Sequence, residues 1–470
     1  MDHIIDHPIA RISEALRARK ISAVELTEEA IRRHDASGDD LHAYRHFDTQ
    51  AARSAAERAD ELLAGSSPAP PMCGIPVSVK DLYGVQGMPT FAGTARQLPE
   101  SWSRDAWLVA RLREQGAVLM GKTHTVEMAY GGVGINPHWG TPINPWDDDV
   151  ARIPGGSSCG AGVSLWEGSA LVALGTDTGG SIRIPASLTG TVGHKTTHAR
   201  WSVDGVVPLS TSLDSVGALT RTVEDSIHFF GSIDPDWGDP QALLWQLAPL
   251  AQAGLRAAVP ECSMWNNAQP EIIEVLGEAL TELSSVGWAQ FATDGSLIDE
   301  ARDLYLGGGI AGAECNAFLD QDLPEWREIL HPTVGSRLEA APALDSDAYR
   351  LAVAQRRELM LRADSLFEGA DVLILPTATL SPPSIEALSD LEAYGRVNGA
   401  VLSPTCPISL LGLCAVTVPA GLDAHGMPVG LQLVAPASRD ETLLGAALGV
   451  EQILGTARNR MGRPPRLSAV

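Results

Sequence analysis

The sequence predicts an α/β fold in a single large domain, and three observations predict it. The run Ile75-Pro76-Val77-Ser78-Val79-Lys80 reads as a strand, residues 105–115 as a helix, and Ala117-Val118-Leu119-Met120 as a second strand. That strand–helix–strand rhythm is the one that builds an α/β sheet. Further short apolar runs of strand character recur as far as residue 434. No internal repeat and no low-complexity linker separates them, so the chain reads as one body. Its 470 residues are 44% hydrophobic and 20% charged, enough apolar material for a large core.

The elements follow in chain order. Residues 1–70 read as a helical layer. Ile9, Ile12 and Leu16 recur at helical spacing, and neither Gly nor Pro occurs in residues 10–37. Ser22-Ala23-Val24-Glu25 is a capping box that starts a second helix, with Val24, Thr27, Ala30 and Ile31 along its inner face. A third amphipathic stretch over residues 51–63 ends at Gly65 and a Ser/Pro-rich loop.

The first strand ends in Lys80-Asp81, and Gly116 takes the C′ position after the helix of residues 105–115. Residues 131–165, rich in Gly, Pro and Asn, form a long irregular segment, a length that marks either function or a misread element. Strand character returns at residues 170–175 and breaks at Thr178-Gly179-Gly180. Residues 232–297 give weak signals, proline turns and then a helix near 271–283. A helix over 343–366 carries Tyr349, Val353, Arg356 and Met360 at helical spacing. Residues 371–376, 414–419 and 430–434 read as buried strands.

Charge and cysteine usage narrow the function. Lys plus Arg number 34 against 58 Asp plus Glu, a net charge of −24. Such a surface repels phosphate backbones, so nucleic acid is not an expected partner. Six cysteines are scattered with no C-x-x-C pair, and the start MDHIIDHPIA lacks the basic residues and apolar run of a signal peptide. Together these predict reduced thiols in a cytoplasmic protein. No run of 18 apolar residues occurs, so no membrane span is expected. None of the twelve histidines sits in an H-E-x-x-H pattern, and neither a metal nor another cofactor is expected.

Two glycine-rich segments stand out, Gly155-Gly156-Ser157-Ser158-Cys159-Gly160 and Gly175-Thr176-Asp177-Thr178-Gly179-Gly180-Ser181. Glycine pairs admit backbone conformations closed to other residues and let a ligand approach the main chain. Consecutive amides in such a turn converge into an anion-binding nest, and a serine at its end is where acyl transfer would place a nucleophile. Two formal motif matches fail on context. Gly116 to Thr123 fits the P-loop pattern, but its four inner residues are strand formers where a glycine-rich loop is required. Gly156 to Gly160 fits a nucleophile elbow around Ser158, but the preceding Ala151-Arg152-Ile153-Pro154 is short and ends in proline.

Residues 155–197, GGSSCGAGVSLWEGSALVALGTDTGGSIRIPASLTGTVGHKTT, closely resemble the signature block of the amidase signature family. So do Ile75 to Asp81, residues 200–225 and residues 416–434; the likeness covers most of the chain and is weakest over 232–340. The resemblance implies a central twisted mixed β-sheet covered by helices on both faces, a small-molecule amide as substrate, and a homodimer. It divides the domain of residues 1–470 into the helical layer, a catalytic core over 75–230, a variable substrate-side region over 232–340 and the rest of the core over 341–470.

Carried across residue by residue, the resemblance places the nucleophile on Ser181, a bridging serine after a cis peptide on Ser157, and the base on Lys80. The backbone amides of Thr178, Gly179, Gly180 and Ser181 match the family's oxyanion donors. The residue types suit the chemistry. A serine hydroxyl needs a base to take its proton, and a lysine serves only when burial lowers its pKa from about 10.4. Lys80, following an apolar strand, suits such burial, and Ser157 would relay the proton.

Ser158 is a candidate support of that relay, and Asp177 and Arg183 are candidate braces of the nucleophile loop. Met128 and Tyr130 match a stretch that lines the acyl pocket of relatives. The chain departs from the family at Gly193-His194-Lys195-Thr196-Thr197, where G-x-K-P-T is usual, and at Cys159 and Cys414. The expected activity is hydrolysis of a small linear amide such as a carboxamide, anilide, carbamate or biuret-like compound, through a seryl acyl-enzyme. The alternative is the glutaminase-type subunit of a glutamine-dependent aminoacyl-tRNA amidotransferase. Leu402 falls near the position where that subunit carries an acidic residue for glutamine's amino group, which weighs against it.

Overall fold

A computed structural model of the protein describes residues 4–252 and 255–468. The first three residues of the N-terminal run, Met1 to His3, lie outside the described residues, as do residues 253–254 and 469–470.

Eleven strands among the described residues form one mixed sheet: β1 (Tyr44–Phe47), β2 (Pro76–Lys80), β3 (Val118–Thr123), β4 (Val172–Asp177), β5 (Val192–Lys195), β6 (Ser215–Thr220), β7 (Arg256–Glu261), β8 (Ala289–Asp294), β9 (Val372–Pro376), β10 (Cys414–Leu422) and β11 (Pro428–Ala435). Their order across the sheet is β1-β3-β2-β4-β6-β5-β10-β11-β9-β7-β8. β3, β2 and β4 run parallel, as do β9, β7 and β8, and the strands between them are antiparallel.

The central strands are buried on both faces, and they are apolar for that reason. In β4, Ala173 packs with Ala161, Leu165 and Ala186 of two short helices and with Ile182 just before the second. Its neighbours Val172 and Leu174 join a different cluster, with Ile227 and Phe230. Successive residues point to opposite faces, so helices cover the sheet on both sides, as the resemblance implied.

The local signals of the N-terminal layer hold. Helices span Ile9–Arg17, Ala23–Leu41 and Thr49–Ala64, and Ser22 and Glu25 make both bonds of the capping box. The three C-terminal strands appear as β9, β10 and β11, the last two longer than expected.

Several expectations change. The strand predicted at residues 117–120 starts at Val118 and runs on through Gly121-Lys122-Thr123, so all but the first two residues of the P-loop match lie inside β3. A Cβ on Gly121 would lie 2.2 Å from the His46 carbonyl oxygen of β1; close strand approach is what that glycine serves. The irregular segment ends at 160, because the helix Ala161–Glu167 begins inside its predicted range. The helix expected over 343–366 is Asp347–Arg362 followed by a tighter turn, Ala363–Phe367.

Strands β1, β5, β6, β7 and β8 were not anticipated. β7 and β8 lie in the weak region because β7 contains Pro260 and the edge strand β8 has no fully buried residue. The six cysteines are buried and unpaired. No described helix is long and apolar enough to cross a membrane.

Candidate active site

Strand pairing brings the two glycine-rich segments to Lys80. β2 and β4 are parallel neighbours, with Val77 opposite Val172 and Val79 opposite Leu174. Their C-terminal ends therefore share one edge of the sheet. Lys80 closes β2, and Thr176 and Asp177 close β4 just before the glycines.

Lys80 is fully buried. Its ammonium nitrogen lies 2.7 Å from Ser157 Oγ and 2.8 Å from Thr176 Oγ1. Burial lowers its pKa to about 7; Cys159, Asp177 and Asp214 exert only a weaker upward pull. Ser157 belongs to the last turn of the irregular segment, and the Gly156–Ser157 peptide is cis. That turn is clamped from the segment containing Met128 and Tyr130. Val126 N–H donates to the Ser157 carbonyl at 3.1 Å, and Gly156 N–H to the Gly132 carbonyl at 2.7 Å. A Cβ on Gly156 would come within 2.8 Å of Gly134 N, so the second glycine of the pair is a matter of space.

Ser181 follows β4 and is 4% exposed. Its main chain is held from two directions. Ser158 donates from its hydroxyl to the Ser181 carbonyl at 2.5 Å and from its N–H to the same oxygen at 3.3 Å. Ser158 is therefore a brace of the loop backbone, and the elbow reading that made it a nucleophile fails: its hydroxyl is buried and engaged.

From the other side, Asp177 accepts from Gly180 N–H at 2.7 Å and from Ile182 N–H at 3.1 Å. Arg183 grips both oxygens of that carboxylate at 2.8 and 3.0 Å. It also donates to Gln432 at 2.6 Å, Ser409 at 2.6 Å and the Thr405 carbonyl at 3.0 Å. Burial alone would raise the pKa of Asp177, but the guanidinium beside it brings it down to about 2. The pair ties the loop to the far end of the chain.

This geometry corrects one position. The Gly180 amide, expected among four oxyanion donors, is already given to Asp177. Its φ of +137° and the 2.0 Å that would separate a Cβ from Thr405 Oγ1 explain why the residue is glycine. The amides of Thr178, Gly179 and Ser181 are the remaining candidates. Gly179 is small for a neighbour's sake: a Cβ would lie 2.1 Å from Tyr305 Oη. Thr178 anchors outward, its hydroxyl donating to Asp214 at 2.5 Å.

Ser181, Thr178 and Gly179 open on a cavity of about 320 Å3 whose wall includes Tyr130, Tyr305, Arg337, Asn398 and Leu402. That is the lower end of the ~300–1,000 Å3 of small-molecule sites. Of the two residues expected on this wall, Tyr130 is there and Met128 is not. Met128 is fully buried in the core, and Ala129 takes its place on the wall. Sequence reasoning missed Thr176, Tyr305 and Arg337. Thr176 sits in the glycine-rich block and was open to inspection there. Tyr305 and Arg337 belong to no motif and come from residues 232–340, where the resemblance is weakest.

Comparison with known proteins shows the family. The family model described as Amidase matches residues 25–444. The chain is 45% identical over 459 residues to a 2-amino-5-chloromuconic acid deaminase of Comamonas testosteroni, covering 97% of this chain and 98% of the relative. It is 33% identical to a glutamyl-tRNA(Gln) amidotransferase subunit of Rhodococcus erythropolis, covering 93% and 96%. A crystal structure of an amidase superposes with a TM-score of 0.85 at 33% identity, covering 96% of this chain and all of that one.

Proposed function

We propose that this chain, which belongs to the amidase family and is an amide-hydrolysing enzyme, works through Ser181 as nucleophile, Ser157 as proton relay and Lys80 as base. One observation carries the reading: a fully buried lysine amine lies 2.7 Å from the Ser157 hydroxyl, with hydroxyls and no carboxylate as its hydrogen-bond partners. An amine held near pKa 7 is neutral often enough at physiological pH to accept a proton.

In the first step Lys80 takes the proton of Ser157 while Ser157 takes that of Ser181. The Ser181 oxygen then bonds to the substrate carbonyl carbon, and negative charge moves to the carbonyl oxygen. The amides of Thr178, Gly179 and Ser181 are proposed to receive that charge, with Gly180 and Asp177 fixing their direction. As the C–N bond breaks, the leaving nitrogen takes the proton back along the relay. Water, deprotonated by the same pair of groups, cleaves the resulting ester and restores Ser181.

The substrate is proposed to be a small linear amide, in keeping with the size of the cavity. The Comamonas relative is by name a deaminase, so ammonia is proposed as the leaving group. Residues 232–340 form the substrate side: Tyr305 and Arg337 reach the cavity wall from there. Six buried, unpaired cysteines suit the reducing compartment proposed for the enzyme. The amidotransferase reading is less well supported. Leu402 lines the cavity, and no described lining residue is acidic, so a glutamine ammonium has no partner there.

Labelling with a serine-directed fluorophosphonate, read by mass spectrometry, tests the assignment. The expected adduct lies on the peptide containing Ser181 and is lost in Ser181→Ala. No adduct, or equal labelling of the variant, overturns it.

A further inference from the structure

Among the described residues that line the cavity beside Ser181, one is charged, and it is Arg337. The chain as a whole carries −24, so a lone positive group in this wall runs against the overall composition. Arg337 lies on the short helix Pro332–Glu339 and is held in place. Its Nε donates to the Thr333 carbonyl at 2.8 Å, and one terminal nitrogen donates to the Tyr130 carbonyl. The guanidinium carbon sits 4.2 Å from the centre of the Tyr130 ring. These contacts fix the fork without neutralising it. No described carboxylate forms an ion pair with it, in contrast to Arg183, whose charge Asp177 meets at 2.8 Å.

A partly buried guanidinium with no counter-ion loses hydration and gains little in return. Two of the five N–H groups of an arginine are used here, which leaves donors for a ligand. Behind the wall, outside the lining itself, lies an unused hydroxyl. The Tyr394 hydroxyl is buried with no hydrogen-bond partner, and a Cβ on the wall residue Gly131 would come within 2.6 Å of it.

We propose that the cavity selects amides bearing a second, anionic group, a carboxylate, which pairs with Arg337. The proposal rests on the reading that Ser181 attacks from this same cavity. It narrows the substrate from any small amide to the half-amide of a dicarboxylic acid or a compound of that charge pattern. Planar carboxylates suit a guanidinium fork, and the Tyr130 ring beneath it holds the fork's plane.

The test uses monoamides of dicarboxylic acids from succinamate to adipamate, each beside the neutral amide of equal chain length, with ammonia release as the readout. Wild type is expected to favour the best monoamide by roughly tenfold to a hundredfold in kcat/KM, the worth of one charge-assisted contact. Arg337→Met should bring that ratio close to one, and Arg337→Lys should keep part of it. No preference in wild type, or an unchanged ratio in Arg337→Met, overturns the proposal. Calorimetry of adipate and succinate binding to Ser181→Ala, with and without Arg337→Met, separates the two readings. Dicarboxylates that bind through Arg337 to an enzyme whose Ser181 takes no fluorophosphonate adduct leave this site standing and sink the catalytic one. Amides hydrolysed with no regard for charge do the reverse.

Discussion

The ends of β2 and β3 each bury a lysine, and the two lie on adjacent parallel strands. At the end of β3, Lys122 meets the Asp81 carboxylate at 2.9 Å and the Thr90 hydroxyl at 3.0 Å. At the end of β2, Lys80 meets the hydroxyls of Ser157 and Thr176. Burial pushes both amines toward neutrality, but Asp81 pulls Lys122 back toward its charged form. Lys195 is a third case, lowered to about 8 by burial and held by the carbonyls of Thr196 and Leu413. Burial is thus common to all three, and the partner decides what each can do. An ion pair makes a strut; hydroxyls alone leave an amine that can take up a proton.

Four experiments break or sharpen that contrast. The largest effect is expected from Ser181→Ala, which leaves Lys80 in place and removes what it serves: kcat/KM should fall about 10⁴-fold or more, read by steady-state amide hydrolysis. Lys80→Met should cost about 10³-fold in kcat. Retention of most activity there would remove the lysine from the mechanism.

Lys122→Met strands a buried carboxylate, and urea denaturation should show a loss of about 3–5 kcal/mol. Lys80→Met orphans two hydroxyls, at about 1–3 kcal/mol. Equal losses would erase the distinction between the two lysines.

The smallest effect is on pH. In the proposed mechanism the neutral amine is the active form, so kcat/KM should drop tenfold per unit as pH falls below about 7 and level off above it. The sign for stability is the same. Unfolded, Lys80 keeps its proton up to about 10.4, whereas folded it releases it near 7. The unfolded state thus binds more protons between those values, and this residue's contribution to stability should rise with pH across that window. A pH-independent rate between 5 and 9 would contradict a lysine base.

What the sequence made legible was what depends on near neighbours. The Ser22–Glu25 box is a matter of four consecutive residues and could be read directly. So could the glycine-rich blocks, because backbone freedom is a property of the residue itself. The strands of the weak region could not. Half-exposed edges such as β8 owe their form to a partner strand, not to their own pattern. The same holds in the site. Lys80, Ser157 and Ser181 sit in recognisable runs. That the Gly180 amide is bound to Asp177, or that Met128 turns into the core, depends on a few ångströms of loop path. Arg337 was invisible because a single arginine on an eight-residue helix carries no local mark of the cavity it faces.

The grip of Arg183 on Thr405 and Gln432 spans 222 and 249 positions of chain. A ribosome has therefore made every reactive group long before it makes the residues that tether the loop bearing Ser181. Until β11 emerges, the growing polypeptide holds Ser181, Ser157 and Lys80 with only their local contacts in place, and the Arg183 side chain still lacks its partners on Thr405, Ser409 and Gln432. Hydrolytic competence should arrive late in synthesis and all at once, which keeps a half-made chain from attacking the amides around it.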